Sequence, residues 1–237
     1  PLAPGKPIHE CAGIVVESRN PTYKVGDRVI VIPDNAEGAC EFVLQKDERL
    51  IKLPNWGDLD DWVMCQHSGT ALYSSKKWGN PTGKRIAILG QGGIGLSFTM
   101  IAARQGAKQV VGIDLEEYRC QKSMELGATS TVNAFTDDLT EATKEITEGE
   151  LFDVVVDASG DPNGLNQSIE ITRNEGIVIG FSLIRGGYAP LNHQKWMEKN
   201  LTIQATVIAL TKLPVQEIRE IVDLRERGWI DPAVLKT

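Results

Sequence analysis

Gly90-Gln91-Gly92-Gly93-Ile94-Gly95 follows the apolar run RIAIL and opens a stretch with helical periodicity. Glycines at these places have separate physical uses. Gly90 permits a tight turn, Gly92 lets the main chain approach a ligand, and Gly95 lets a helix pack closely on the preceding strand. A helix starting at Gly93 or Ile94 would aim unpaired N–H groups and its positive dipole end at an anion. That is the chemistry of a diphosphate cradle. Asp114 ends the next apolar run, VVGID. A carboxylate there can take both hydroxyls of an adenosine ribose and repel a 2′-phosphate, so NAD is expected and NADP less so. The plainer alternative for Asp114 is a helix N-cap. Arg119 could reach the same ribose or a phosphate, or could simply be solvated. Asp157-Ala158-Ser159-Gly160 and Ile179-Gly180-Phe181 end later apolar runs. Ligands bind at the carboxyl edge of such sheets. Ala158, Ser159, Gly160, Ile179 and Gly180 are therefore candidate cofactor-lining residues.

The elements that must position these residues alternate. RIAILG, KQVVGID, STVNA, FDVVVDAS, IVIGFS and LTIQATVI read as six strands. Between them GIGLSFTMIAARQGA, EEYRCQKSMELGA, LTEATKEITEG, GLNQSIEITRNEG and HQKWMEKN read as helices. Alternation with short links predicts an α/β fold, a doubly wound parallel Rossmann sheet over residues 85–209. Residues 1–55 read differently. CAGIVVES, Arg28–Ile32, EFVLQ and LIKLP are short extended runs separated by turn residues, which suggests part of a small antiparallel β domain. Residues 56–84 carry one or two linking helices, with a break expected near Ser68-Gly69. Residues 210–237 read as an amphipathic C-terminal helix, apolar at Val215, Ile218, Ile221, Val222 and Leu224, returning toward the first domain.

Composition sets broad limits. The chain has 237 residues, a formal net charge of −7 and 41% hydrophobic residues. An acidic chain lacks the basic face that phosphate-backbone binding needs, so no nucleic-acid partner is expected. No apolar run approaches the roughly 20 residues of a membrane span, and no signal-peptide pattern opens the chain. Cys11, Cys40, Cys65 and Cys120 are scattered, which suggests reduced thiols and a cytoplasmic setting. The start at PLAPGKPIHE and the stop at DPAVLKT suggest a fragment lacking parts at both ends.

Taken in order, PIHECAGIVVES, KVGDRVIV, LIKLP, GQGGIG, VVGID, ELGAT and FDVVVDASG resemble the medium-chain dehydrogenase/reductase superfamily, in its zinc-type alcohol and polyol dehydrogenase branch. The likeness runs along essentially the whole chain. It implies that residues 1–55 are part of a GroES-like catalytic domain. It further implies one catalytic zinc, held by His9 and by Cys65, about 25 residues ahead of the glycine turn. Imidazole plus thiolate suits zinc, and an open position would take a substrate oxygen. Glu10 resembles the family's outer-shell acid. His67 could line the substrate cleft, serve as a ligand, or be a polar surface residue. Ile8 stands where the family has glycine, and the first cysteine ligand lies outside the chain. Where many relatives carry four cysteines for a structural zinc, IPDNAEGACEFVLQ has only Cys40, so no structural zinc is expected.

The resemblance thus implies a zinc-dependent, NAD-linked oxidoreductase interconverting a secondary alcohol or polyol and its carbonyl. The alternatives are a zinc-free quinone- or enoyl-type reductase of the same superfamily and a non-catalytic dinucleotide-binding protein. Relatives pair edge strands, and LTIQATV, β-rich and little charged, is the candidate seam of a homodimer or homotetramer.

Overall fold

The computed structural model describes residues 8–184, 187–208, 211 and 214–236. The expected domain boundary at 209–210 lies outside the described residues. The chain divides into two compact units, Pro1–Thr70 with Ile208–Thr237, and Ala71–Val207.

In the first unit, β1 (Cys11–Ile14), β2 (Arg28–Val31) and β3 (Leu50–Lys52) form an antiparallel sheet in the order β1-β2-β3. Ile30 and Ile51 are neighbours in register and are buried. EFVLQ, expected as a short extended run, joins no strand. Phe42 and Leu44, two of its three apolar residues, are exposed. Without a buried face, alternation of residue types has nothing to fix a register.

Helix α1 (Leu59–Ser75) is unbroken, contrary to the break expected at Ser68-Gly69. Gly69 serves packing instead. A Cβ there would stand 2.6 Å from Ile218 Cγ1 and 2.7 Å from its Cα. Ile218 belongs to α7 (Gln216–Glu226), so the missing side chain lets α7 approach α1. Arg225 of α7 lies over the rings of Trp62, 4.2 Å from the centroid, and Trp56, at 5.5 Å. Its Nε donates to Asp231 at 2.9 Å. The guanidinium is thereby buried against aromatic faces with an ionic partner, the condition under which a buried cation is tolerated.

In the second unit, six strands form one parallel sheet in the order β6-β5-β4-β7-β8-β9. They are β4 (Arg85–Leu89), β5 (Gln109–Asp114), β6 (Ser130–Asn133), β7 (Phe152–Asp157), β8 (Thr172–Gly180) and β9 (Thr202–Ala205). The connecting helices are α2 (Gly93–Arg104), α3 (Glu117–Glu125), α4 (Leu139–Ile146), α5 (Gly164–Ile171) and α6 (His193–Glu198). The chain runs outward from β4 to β6, then returns to the other side of β4 at β7. That reversal is the switch point at which doubly wound sheets bind ligands. The central strands are unbroken apolar runs because both faces are covered: Ile86, Ala87 and Ile88, and likewise Val154, Val155 and Val156, are fully buried. Leu139, Ala142 and Ile146 of α4 pack on a cluster that includes Val111, Val132, Val155 and Ile171.

Helix α5 ends at Ile171, before the expected stop at Gly176. Thr172 through Glu175 enter β8 through a register irregularity opposite Phe152 and Val154. The stop signal comes from a distant lysine. Lys199 Nζ donates to the carbonyls of Ile169 (3.0 Å), Glu170 (2.6 Å) and Thr172 (2.7 Å). These carbonyls lack partners within a helix that ends here, and a cation at a helix C-terminus is electrostatically favoured.

Candidate functional site

The glycine turn joins β4 to α2 at the centre of the sheet. Gly90 has φ +86°, a left-handed conformation that side chains resist. A Cβ on it would also meet Ala158 O at 2.6 Å and Ser159 Cα at 2.8 Å, so the ends of β4 and β7 touch through backbone. Ala158 N completes that contact by donating to Leu89 O at 2.9 Å. A Cβ on Gly95 would collide with the carbonyl oxygen of Gly90. Both glycines are therefore fixed by contact with the protein itself. Gly92 differs: nothing lies within 4 Å of the place its Cβ would occupy. Gly92 caps α2, and the first amides of that helix, from Gly93 and Ile94, have no carbonyl one turn earlier to bond. Open space at Gly92 beside unpaired helix amides is a cradle an anion can enter.

Asp114 stands behind this cradle, only 6% exposed in its side chain. Its Oδ2 accepts from Gln91 N at 2.6 Å and its Oδ1 from Glu116 N at 3.0 Å. Arg119 Nη1 lies 3.6 Å from Oδ2. The carboxylate thus braces the turn and starts the next helix, which joins the two readings its position in the sequence allowed. Each oxygen has accepted one bond from a backbone amide and retains acceptor capacity. Desolvation would lower the pKa of Arg119, but hydrogen bonding to Tyr118 and the charge of Asp114 outweigh it and raise the group above its ordinary value.

Gln91 is a residue that sequence reasoning left unassigned. It is fully buried. Its Nε2 donates to Ile88 O at 3.0 Å and Gly90 O at 3.2 Å, and its Oε1 accepts from Thr99 at 2.9 Å. A buried amide with donors and acceptor all used locks the turn from inside. Ser182 was also missed. Its Oγ donates to the Asp157 carboxylate at 3.1 Å and accepts from Gly160 N at 2.9 Å. Ser159 Oγ donates to the same carboxylate oxygen at 2.7 Å. Phe181 N donates to Asp157 O at 3.1 Å, so the carboxyl ends of β7 and β8 are tied by one carboxylate and its neighbours. Ile179 is buried, and Gly180 pairs in register with Asp157.

The first unit holds a second group of candidates. His67 Nε2 lies 2.9 Å from Glu10 Oε1. Burial alone would raise the Glu10 carboxyl, but the hydrogen bond and charge of His67, with His9, outweigh it and hold the group below its ordinary value. Gln66 Nε2 donates to the backbone oxygen of His9 at 2.8 Å. Gln66 Oε1 and His67 Nδ1 are buried without partners. The 66–67 pair of α1 therefore faces the 9–10 segment. Among the described residues Cys65 makes no hydrogen bond to this group. It is fully buried, and its charged neighbours are Arg225 and Asp231. Burial pushes its thiol up to about 12, with Arg225 acting in the opposite sense. Among the described residues no three His, Cys, Asp or Glu side chains gather as a metal site.

A family model described as zinc-binding dehydrogenase matches residues 93–226. The sorbitol dehydrogenase of Bacillus subtilis (strain 168) is 25% identical over 213 residues, 78% of this chain and 60% of that protein. The (R,R)-butanediol dehydrogenase of the same strain is 30% identical over 204 residues, 76% of this chain and 59% of that protein. The chain thus spans about three fifths of the length of these curated relatives. The crystal structure of 2R,3R-butanediol dehydrogenase from Bacillus subtilis aligns with a TM-score of 0.79 at 26% identity, covering 95% of this chain and 73% of that one. With more than half of its residues inside the family match, and with both a Rossmann sheet and a partial GroES-like β domain, the chain belongs to the zinc-binding dehydrogenase family of medium-chain dehydrogenases.

Proposed function

We propose that these residues belong to a nicotinamide-dependent oxidoreductase that interconverts a secondary alcohol or polyol and its carbonyl, with NAD preferred to NADP. The observation that carries this reading is the open space at Gly92, flanked by the unpaired amides of α2 and backed by the Asp114 carboxylate. In this proposal the amides of Gly92, Gly93 and Ile94 hold the diphosphate and Asp114 holds the ribose. Ala158, Ser159, Gly160, Ile179 and Gly180 line the remaining length of the cofactor. When bound, the nicotinamide supplies the hydride acceptor or donor. Arg119 beside Asp114 softens the repulsion of a 2′-phosphate, so the preference for NAD is expected to be moderate.

The relatives' names, sorbitol and butanediol dehydrogenase, support a small alcohol or polyol substrate. One zinc per subunit, with His9 and Cys65 among its ligands and Glu10 and His67 nearby, is what the resemblance implies. Cys65 lies with Arg225 while Gln66 reaches His9. That placement favours the second reading, a zinc-free quinone- or enoyl-type reductase of the same superfamily. The edge strand β9, largely exposed, supports pairing of two copies into a homodimer. Among the described residues no helix is long and apolar enough to cross a membrane.

Titration of the full-length protein with NADH and NADPH, followed by turnover on a polyol panel with zinc content measured in parallel, tests both readings. Stoichiometric zinc and polyol oxidation support the first. Reduction of quinones or enoyl compounds by metal-free protein supports the second. NADH binding without turnover on either panel would overturn both in favour of a non-catalytic role.

A further inference from the structure

Cys11 opens β1, and Cys40 lies in the turn that follows Gly38. Gly38 N donates to Ile8 O at 2.8 Å, which pins this turn against the chain leading into β1. Cys11 Sγ sits against Gly38 so closely that a Cβ on residue 38 would collide with it. The same sulfur lies 3.8 Å from Gly38 O, and Cys40 N donates to that oxygen at 2.9 Å. Two chain segments thus bring their cysteines to one carbonyl group. Both thiols are free; Cys40 is exposed and Cys11 half-buried. The Cys40 thiol donates to the carbonyls of Glu37 (3.3 Å) and Phe42 (3.2 Å), weak contacts that an exposed side chain can leave by rotation.

We propose that Cys11 and Cys40 form an intramolecular disulfide when the protein meets a peroxide, which makes this turn an oxidative modification site. The exposed Cys40 sulfur reacts first. It takes one oxygen from the peroxide as the O–O bond breaks, and gives a sulfenic acid and water. Cys11 sulfur then attacks Cys40 sulfur. The S–O bond breaks, and the hydroxyl leaves with the Cys11 proton as a second water. In sum, two thiols and one peroxide give one disulfide and two waters. The bridge would fasten the turn at Gly38 to the residue that follows Glu10, the partner of His67. Cys65 and Cys120 are buried and stand as internal controls.

The test treats the purified full-length protein with hydrogen peroxide, alkylates free thiols under denaturing conditions, and maps the peptides by mass spectrometry with and without dithiothreitol. The expected result is a Cys11–Cys40 cross-linked peptide within the monomer, reversed by dithiothreitol, with Cys65 and Cys120 alkylated in full. Cys40→Ser should leave Cys11 unoxidised at the same peroxide dose. Cys11 and Cys40 carrying separate modifications, or bridged only between two molecules, would overturn the proposal.

Discussion

The two candidate regions are built by different means. The glycine turn of the second unit is positioned by backbone: a left-handed Gly90, a steric contact between Gly95 and Gly90, and amides bonded to Asp114. The cluster of the first unit is positioned by side chains reaching across sequence, Gln66 to His9 and His67 to Glu10. A backbone site is constrained wherever a side chain would collide, so its residue types are dictated. A side-chain site tolerates substitution, because other side chains can reach the same place.

The largest expected effect breaks the backbone site. In Gly95→Ala the new Cβ falls on the Gly90 carbonyl, and both atoms belong to rigid backbone. We expect about 3 kcal/mol or more of lost stability by denaturant titration, together with loss of measurable NADH affinity. Retention of both would mean the turn is looser than described. Next comes Asp114→Ala. It leaves Gln91 N without its 2.6 Å acceptor and Arg119 without its carboxylate. Bonds to a charged acceptor contribute about 1.5–3 kcal/mol. Calorimetry should show NADH binding weakened by about 10–100-fold, with NADPH affected less.

Gly69→Ala is the matched change in the first unit. Its Cβ would press on Ile218, and overpacking of this kind costs about 1–3 kcal/mol. The melting curve should shift downward while NADH affinity stays unchanged, since Gly69 takes no part in the cradle. A parallel loss of NADH affinity would undo the contrast between the regions. The smallest effect concerns Asp153, near the amino end of β7. Burial raises its carboxyl, but the Arg85 amide and the Arg173 guanidinium outweigh that and hold it below the ordinary range. A depressed folded value stabilises the protein above the unfolded carboxylate pKa, about 4, and that contribution fades as pH falls through the folded value. Asp153→Asn should flatten the acid limb of the stability–pH curve and leave the neutral-pH affinity for NADH unaltered.

This contrast also explains what was legible in the sequence. The alternation of strands and helices and the GxGxxG turn could be read because backbone geometry demands glycine and continuous apolar strands. The stop of α5 could not, because it depends on Lys199, which is distant in sequence and carries no local signal. The continuity of α1 through Gly69 was hidden because a glycine that admits Ile218 looks the same as a helix breaker. EFVLQ carried strand-forming residues with no partner strand to pair them. Gln66 escaped notice for a related reason. Spacing relative to the glycine turn pointed to Cys65, and one position along a helix rotates a side chain by about 100°, enough to exchange the neighbourhood of Arg225 for that of His9.

Calorimetric titration of the purified protein with NADH tests the central claim most directly. A saturable, one-to-one isotherm that Gly95→Ala abolishes and Asp114→Ala weakens is the predicted result. An absence of saturable binding by the intact protein, or binding that survives Gly95→Ala unchanged, would contradict it.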